Sequence, residues 1–214
     1  MGFEKLPRLT LKDSTESLIR RALLSGAMKP GEIYSANSLA NRLGVSNSPA
    51  REAMMSLVNK GLLELVRNRG FRVVELSAKD KQEVYDLRCL VEVEAVRRVA
   101  ERGVSAERAS LLRELAEQTI ASAEAQGVVD YLDADQAFHC ALVDTLENRR
   151  WTEIVENLRD QSRINGSYGL RKRTELEASA TDHLEIVEAV IAGEARKAAD
   201  VMVRHLSYAR PEPD

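Results

Sequence analysis

The chain of 214 residues is 44% hydrophobic and 30% charged, carries a formal net charge of −3, and has only 4% aromatic residues. This is the composition of a water-soluble, mainly helical protein, too long for one small domain. No apolar run reaches the ~18–20 residues that cross a bilayer, and charges stand where a signal peptide has its apolar core. The expectation is a cytoplasmic protein with no membrane partner. Cys89 and Cys140 form no CxxC pattern, which leaves no disulfide framework or thiol metal motif and makes them small hydrophobes within helices.

Charge divides the chain into a basic front, residues 1–76 with 12 Lys/Arg against 7 Asp/Glu, and an acidic remainder, residues 77–214 with 19 against 27. A basic head on an acidic body suits a polyanion-binding module. In the front part, Leu18, Ile19, Ala22, Leu23 and Leu24 mark a first helix, with capping side chains among Asp13-Ser14-Thr15-Glu16 and a stop at Gly26. Lys29-Pro30-Gly31-Glu32 reads as a turn. Ser35 begins a second helix through Leu43, and Gly44-Val45-Ser46 turns the chain into a third, with Ser46 as its cap, at about Pro49–Lys60. Asn47, Ser48 and Arg51 then stand at the amino-terminal end of that third helix, where short polar side chains can approach phosphates and Arg51 can fork onto guanine or a phosphate. After Gly61, alternation through Leu63, Leu65 and Arg67, the turn Asn68-Arg69-Gly70, and Phe71-Arg72-Val73-Val74 predict two strands and a tight turn. This is a wing whose tip residue Arg69 can enter a minor groove or clamp a backbone.

Residues 35–76 resemble the DNA-binding head of the GntR family. The resemblance rests on Leu39-Ala40-Asn41-Arg42-Leu43-Gly44-Val45-Ser46-Asn47-Ser48-Pro49-Ala50-Arg51-Glu52-Ala53, followed by Gly61-Leu62-Leu63 and Asn68-Arg69-Gly70. It implies double-stranded operator DNA as the partner, with Ser46, Asn47, Ser48, Arg51, Asn68, Arg69 and Gly70 at the interface. The chain departs from the family at Asn47, where an Arg that contacts the groove is usual, and at Ser48, where Thr is common. Losing that Arg removes a guanine reader, so the family's usual operator core does not carry over.

Beyond the linker and cap Ser77-Ala78-Lys79-Asp80, amphipathic patterns run to about Arg102 and then over about 105–125, 128–146, 148–171, 175–192 and 194–209. Short connections make these an antiparallel bundle of six or seven helices. The fold class expected is mainly α: a winged helix-turn-helix with a small β-hairpin wing over 1–76, then an all-helical domain over 77–214.

All three histidines of the chain fall on apolar stripes of this bundle. Asp135 and His139 lie one turn apart, His183 shares a stripe with Ile186, Val187 and Val190, and His205 shares one with Ala198, Val201 and Met202. Directed inward together, they make a facial set of one carboxylate and three imidazoles with open positions, a donor set that suits Zn first and also Ni, Mn or Fe. The alternative is an Asp135–His139 ion pair with two unrelated histidines. Arg88, a cation on an inward-looking helix, either grips an effector carboxylate or pairs with Glu92 at i,i+4; Arg163, Asn165 and Tyr168 are further lining candidates.

Residues 80–208 are similar to the FCD effector-binding domain of one branch of GntR regulators, through Arg88-x-x-x-Glu92, Asp135-x-x-Phe138-His139, Asp182-His183-x-x-Ile186 and Met202-x-x-His205. That resemblance implies a divalent metal held by Asp135, His139, His183 and His205, with an organic acid completing its shell. The function expected is a homodimeric, metabolite-responsive transcriptional regulator and repressor, not an enzyme. Two other classes compete: a metal-dependent hydrolase or lyase using the Asp/His cluster, and an architectural DNA-binding protein without an effector.

Overall fold

The computed structural model describes residues 11–125, 127–165 and 173–211, with backbone only at 173 and 174. By its internal contacts the chain falls into two compact units, Met1–Glu75 and Leu76–Asp214.

The first unit contains α1 (Leu11–Leu24), β1 (Ile33–Tyr34), α2 (Ala36–Leu43), α3 (Asn47–Asn59), β2 (Leu63–Val66) and β3 (Gly70–Val73). α1 and α2 both pack on α3, and Ile19, Leu23, Leu39, Ala40, Ala53, Met54 and Leu57 form the buried seam. Ser35 caps α2 by accepting from Ser38 N at 3.1 Å, and Gly44 ends it at φ 67°. A side chain at that positive φ would be strained, which is why the turn between α2 and α3 carries glycine. Val45 is half-buried there, and its N–H returns to Ala40 O.

Three local expectations need correction. The sheet has three antiparallel strands in the order β1-β3-β2, because Ile33 and Tyr34 pair with Arg72 and Phe71. Two residues carry no readable alternation, so the third strand was invisible to the pattern. Ser46 occupies the N-cap position of α3 with extended backbone, but its side chain makes no capping bond and the helix starts earlier, at Asn47. Asp13, Ser14, Thr15 and Glu16 lie inside α1, where Thr15 bonds back to Leu11 O at 2.6 Å.

The second unit is a bundle of α4 (Ala78–Arg102), α5 (Ala106–Glu124), α6 (Val128–Asp144), α7 (Arg149–Ile164), α8 (Arg173–Ile191) and α9 (Ala195–Ser207). A capping box between Ser77 and Asp80 starts α4, and Ser105 and Asn148 cap α5 and α7 through Arg108 N and Trp151 N. These caps satisfy amide donors that the first helical turn leaves free. α4 packs on α7 and α9, α5 on α6 and α8, α6 on α7, and α8 on α9. Val96, Val99, Leu112, Phe138, Leu142, Ile186, Val190, Met202 and Leu206 fill the core between them. Cys89 and Cys140 are free thiols at half-buried positions.

At Gly70, with φ 127°, a Cβ would stand 2.5 Å from the carbonyl oxygen of Tyr34 on β1. Gly70→Ala is therefore expected to destabilise the first unit by about 2 kcal/mol, through strain and loss of the β1–β3 pairing. Urea melts of the full chain check it; an unchanged transition would mean the sheet tolerates the methyl group.

Candidate metal centre and nucleic-acid interface

α6 places Asp135 and His139 one turn apart on its buried face, α8 supplies His183 and α9 supplies His205, all at 0–1% exposure. One donor atom from each lies within 4.8 Å of every other. His139 Nε2 is 3.0 Å from His205 Nε2 and 3.2 Å from His183 Nε2, and Asp135 Oδ1 is 3.2 Å from His183 Nε2 and 3.7 Å from His139 Nε2. Donors ~2.1 Å from one ion stand about 3.0 Å apart at right angles and about 3.4 Å apart at tetrahedral angles. The shorter separations, 3.0–3.2 Å, match ligands sharing a cation, while Asp135 Oδ1 stands wider from His139 Nε2 at 3.7 Å and from His205 Nε2 at 3.8 Å.

The outer nitrogens are occupied from other helices. His139 Nδ1 lies 2.9 Å from Glu92 Oε2 on α4, His183 Nδ1 2.9 Å from Thr119 Oγ1 on α5, and His205 Nδ1 3.4 Å from Ser179 Oγ on α8. Burial, reinforced by Arg159, drops the His183 pKa from its ordinary 6.5 to about 3. Burial likewise holds His139 and His205 well below 6.5, aided by Arg159 at His139 and by the neighbouring imidazoles at His205. The three rings are neutral at pH 7, the state in which an imidazole ligates a metal.

Asp135 divides its two oxygens. Oδ2 accepts from both Arg159 and Arg163 of α7, while Oδ1 is buried with no hydrogen-bond partner. A buried carboxylate oxygen left bare beside three imidazole nitrogens is costly, and a divalent cation relieves all four groups at once. The residues present therefore fit the metal that the sequence predicts.

The effector candidates sit in or next to this network. Arg88 is buried, bonds Glu92 Oε1 at 2.8 Å and Ser162 Oγ at 3.3 Å, and its Nη2 has no partner among the described residues. The i,i+4 pair is thus real, and one donor group is left over. Arg163 bonds Gln136 Oε1 at 2.5 Å as well as Asp135. Asn165 faces the backbone: its Oδ1 accepts from Leu76 N at 2.8 Å and its Nδ2 donates to Gln161 O at 3.3 Å. Tyr168 lies outside the described residues.

Sequence reasoning missed Arg159, which bonds Glu92 Oε2 at 2.5 Å and also reaches Asp135. It also missed the contacts of Glu92, Thr119 and Ser179 to the rings. A signal for Arg159 existed, since it repeats at i+4 between buried Val155 and Arg163 on α7. Glu92 is held in its charged form: burial opposes the charge, but Arg159, Arg88 and the bond from His139 outweigh it and set its pKa well below the carboxylate range.

In the first unit, Ser46, Asn47, Ser48, Arg51, Asn68 and Arg69 are exposed and Gly70 is half-buried. Asn47 and Arg51 of α3 line one cleft with Asn68, Arg69 and Gly70 of the hairpin turn, joined there by Asn37 and by Arg67, which the sequence reading left out. The Arg51 guanidinium sits 5.8 Å above the Phe71 ring, a cation–π contact that steadies it. Ser48 donates to Glu52 Oε1 at 2.9 Å within its own helix. Asn68 takes φ 61°, the left-handed geometry of a tight hairpin turn.

The FCD domain profile matches residues 83–208, and that of the bacterial regulatory proteins of the gntR family matches residues 11–73. The chain is 34% identical over 142 residues to the HTH-type transcriptional regulator YdhC of Bacillus subtilis, a match that spans 66% of this chain and 63% of YdhC. It is 26% identical over 195 residues to the HTH-type transcriptional repressor GlaR of Escherichia coli, covering 88% of this chain and 89% of that one. The solved structure of E. coli McbR/YncC superposes with a TM-score of 0.81 at 22% identity, over 94% of this chain and 95% of its own, and shows the fold.

Three neutral buried rings give the metal-stripped protein a defined acid response. The unfolded chain takes up protons below about 6.5, whereas the folded His183 resists until about 3. Stability from this source is therefore complete above 6.5 and lost as pH falls towards 3, at up to about 1.4 kcal/mol per pH unit for each ring. Urea melts of chelator-treated protein from pH 7.5 to 4 read it; a midpoint that does not move would mean the rings are charged when folded.

Proposed function

From the chain's membership of the GntR family of bacterial regulatory proteins, with its FCD domain, we propose a homodimeric repressor that acts in the cytoplasm and leaves its operator when a small organic acid binds at a metal. That the protein is a DNA-binding transcription regulator follows from the family itself. The relatives YdhC and GlaR are transcriptional regulators, which does not favour the hydrolase, lyase and architectural readings.

One observation carries the metal-and-acid reading: Asp135 Oδ1 and one nitrogen of each of three imidazoles converge in the core within 4.8 Å of one another. Asp135, His139, His183 and His205 would hold the cation. When bound, it supplies a Lewis-acidic centre that attracts a carboxylate oxygen; Zn suits the set, and Ni, Mn or Fe also suit it. Around it, among the described residues, Arg88 and Arg159 meet the carboxylate of Glu92, and Arg159 and Arg163 meet that of Asp135. A divalent cation would add positive charge beside three buried guanidinium groups, which favours an anion as the effector. Arg88 Nη2 is a donor held ready for it.

Residues 1–76 form the reading head of this proposal, with Arg51 and Arg69 approaching major and minor grooves, and residues 77–214 form the sensor. Leu87 and Leu90 of α4 and Ile154 of the adjoining α7 are exposed. Such an apolar face suits coverage by a second copy of the chain. Repression agrees with the description of GlaR as a repressor. An acid that lowers operator affinity must itself bind less tightly to the DNA-bound dimer by the same factor.

The test compares gel shifts of the DNA upstream of the gene with random DNA, with and without hydroxy acids, dicarboxylates and sugar acids. Release of the upstream fragment by one acid is the expected result; sequence-independent binding that no acid alters would refute the sensor. Arg51→Ala should weaken specific binding by on the order of tenfold to a hundredfold and leave the metal content unchanged. His183→Ala should do the reverse, losing metal and acid response while retaining DNA binding; full metal stoichiometry in that variant would show the ligand set to be wrong.

A further inference from the structure

The three rings are not equivalent in what holds their outer nitrogens. Glu92 has no proton to give, so His139 Nδ1, 2.9 Å away, must carry the hydrogen and leave Nε2 bare. Thr119 has a proton but has committed it: its hydroxyl donates to Ala116 O at 2.7 Å, so it can only accept from His183 Nδ1. His183 Nε2 is then bare as well. His205 differs, because its partner Ser179 accepts a hydrogen bond from Tyr131 at 2.9 Å and keeps its own hydroxyl hydrogen, at 3.4 Å from His205 Nδ1. That hydroxyl can either give or receive.

Without a cation, a bare His139 Nε2 would repel bare nitrogens of His205 at 3.0 Å and His183 at 3.2 Å, with Asp135 Oδ1 3.2 Å from His183 Nε2 adding to the crowding of lone pairs. One ring must turn a hydrogen inward, and only His205 has a partner that allows it. We infer that Glu92 and Thr119 are positioning residues that preset His139 and His183 as metal donors, whereas His205 exchanges its tautomer when the metal arrives. In the metal-free protein His205 Nε2–H donates to His139 Nε2 and Ser179 donates to His205 Nδ1. In the loaded protein His205 Nε2 is bare and Nδ1–H donates to Ser179. The Nε2 proton leaves to water and Nδ1 takes one from water, so the ring stays neutral and no net proton is released by it. The inference rests on the metal reading proposed above and adds an order to the site: two donors are ready, and the third is closed until a cation opens it.

The test uses the full chain with 15N-labelled histidine, stripped by chelator and then titrated with zinc. Long-range 1H–15N spectra report which ring nitrogen carries hydrogen. His139 and His183 are expected as Nδ1–H throughout, and His205 as Nε2–H before zinc and Nδ1–H after. His205 already in the Nδ1–H form without metal, or unaltered by bound zinc, overturns the inference alone; failure of zinc to bind overturns the metal reading and the exchange with it. Thr119→Val should mix the His183 tautomers and weaken zinc by roughly tenfold, while Thr119→Ser restores both. Ser179→Ala provides the second arm, with zinc weakened by a similar factor because the loaded His205 loses its acceptor. Wild-type zinc affinity in folded Thr119→Val and Ser179→Ala overturns the positioning roles.

Discussion

Asp135 is a fully buried carboxylate with one oxygen gripped by two guanidinium groups and the other facing three neutral imidazoles. Removing a charge from water costs several kcal/mol even after relaxation, and ion pairs in a core often do no better than well-packed apolar side chains. A bundle with Leu112, Phe138, Ile186 and Val190 already in its core does not depend on such a network for cohesion. Its presence there makes sense as chemistry: Asp135 Oδ1 and the inward ring nitrogens are a donor set that would suit a cation, and the arginines hold the other carboxylate oxygen.

The geometry comes from one helical device used three times. Arg88 and Glu92 on α4, Asp135 and His139 on α6, and Arg159 and Arg163 on α7 are each separated by four residues, one turn, so both side chains of a pair emerge from the same face. Because α4 and α6 both pack on α7, the three pairs interlock: Arg159 touches both Glu92 and Asp135, and Glu92 touches Arg88, Arg159 and His139. α8 and α9 then need to add only one ring each. Phe138, edge-on to His139 at 5.2 Å and tilted to His183 at 4.5 Å, walls the cluster and limits how the rings can turn.

Much of this was legible in the sequence because it is local. The i,i+4 spacing of Asp135 and His139, the apolar company of His183 and His205, and the run from Leu39 to Ala53 are patterns along one helix or one turn. What stayed hidden depends on contacts distant in sequence. Arg159 belongs to a helix crowded with exposed charges such as Arg149 and Glu153, so its inward face does not stand out by composition. Thr119 and Ser179 are small polar residues whose role exists only because α5 and α8 bring them against rings 64 and 26 residues away. In the first unit, β1 was missed since a two-residue strand is defined by its partner β3 and not by any alternation of its own. Ser46 does sit at the N-cap of α3, though without a side-chain capping bond, whereas Asp13 to Glu16 fall inside α1: a capping residue type marks where a helix can begin, while packing decides where it does.

The helices that hold the polar network also hold the entry of the second unit. Arg159 and Arg163 lie in the last turns of α7, and Asn165, at its C-cap, accepts from the backbone of Leu76. Leu76 leads directly into the Ser77–Asp80 capping box of α4, the helix that carries Arg88 and Glu92. A change in how the guanidinium groups of α7 share Asp135 and Glu92 is therefore felt at both sides of this junction, since the C-cap of α7 carries the bond acceptor and α4 begins two residues after the donor. Packed interiors respond to such changes by switching between discrete arrangements and not by continuous deformation. A buried charge network whose partners would change on binding the proposed cation and anion could supply the two states that a sensor needs.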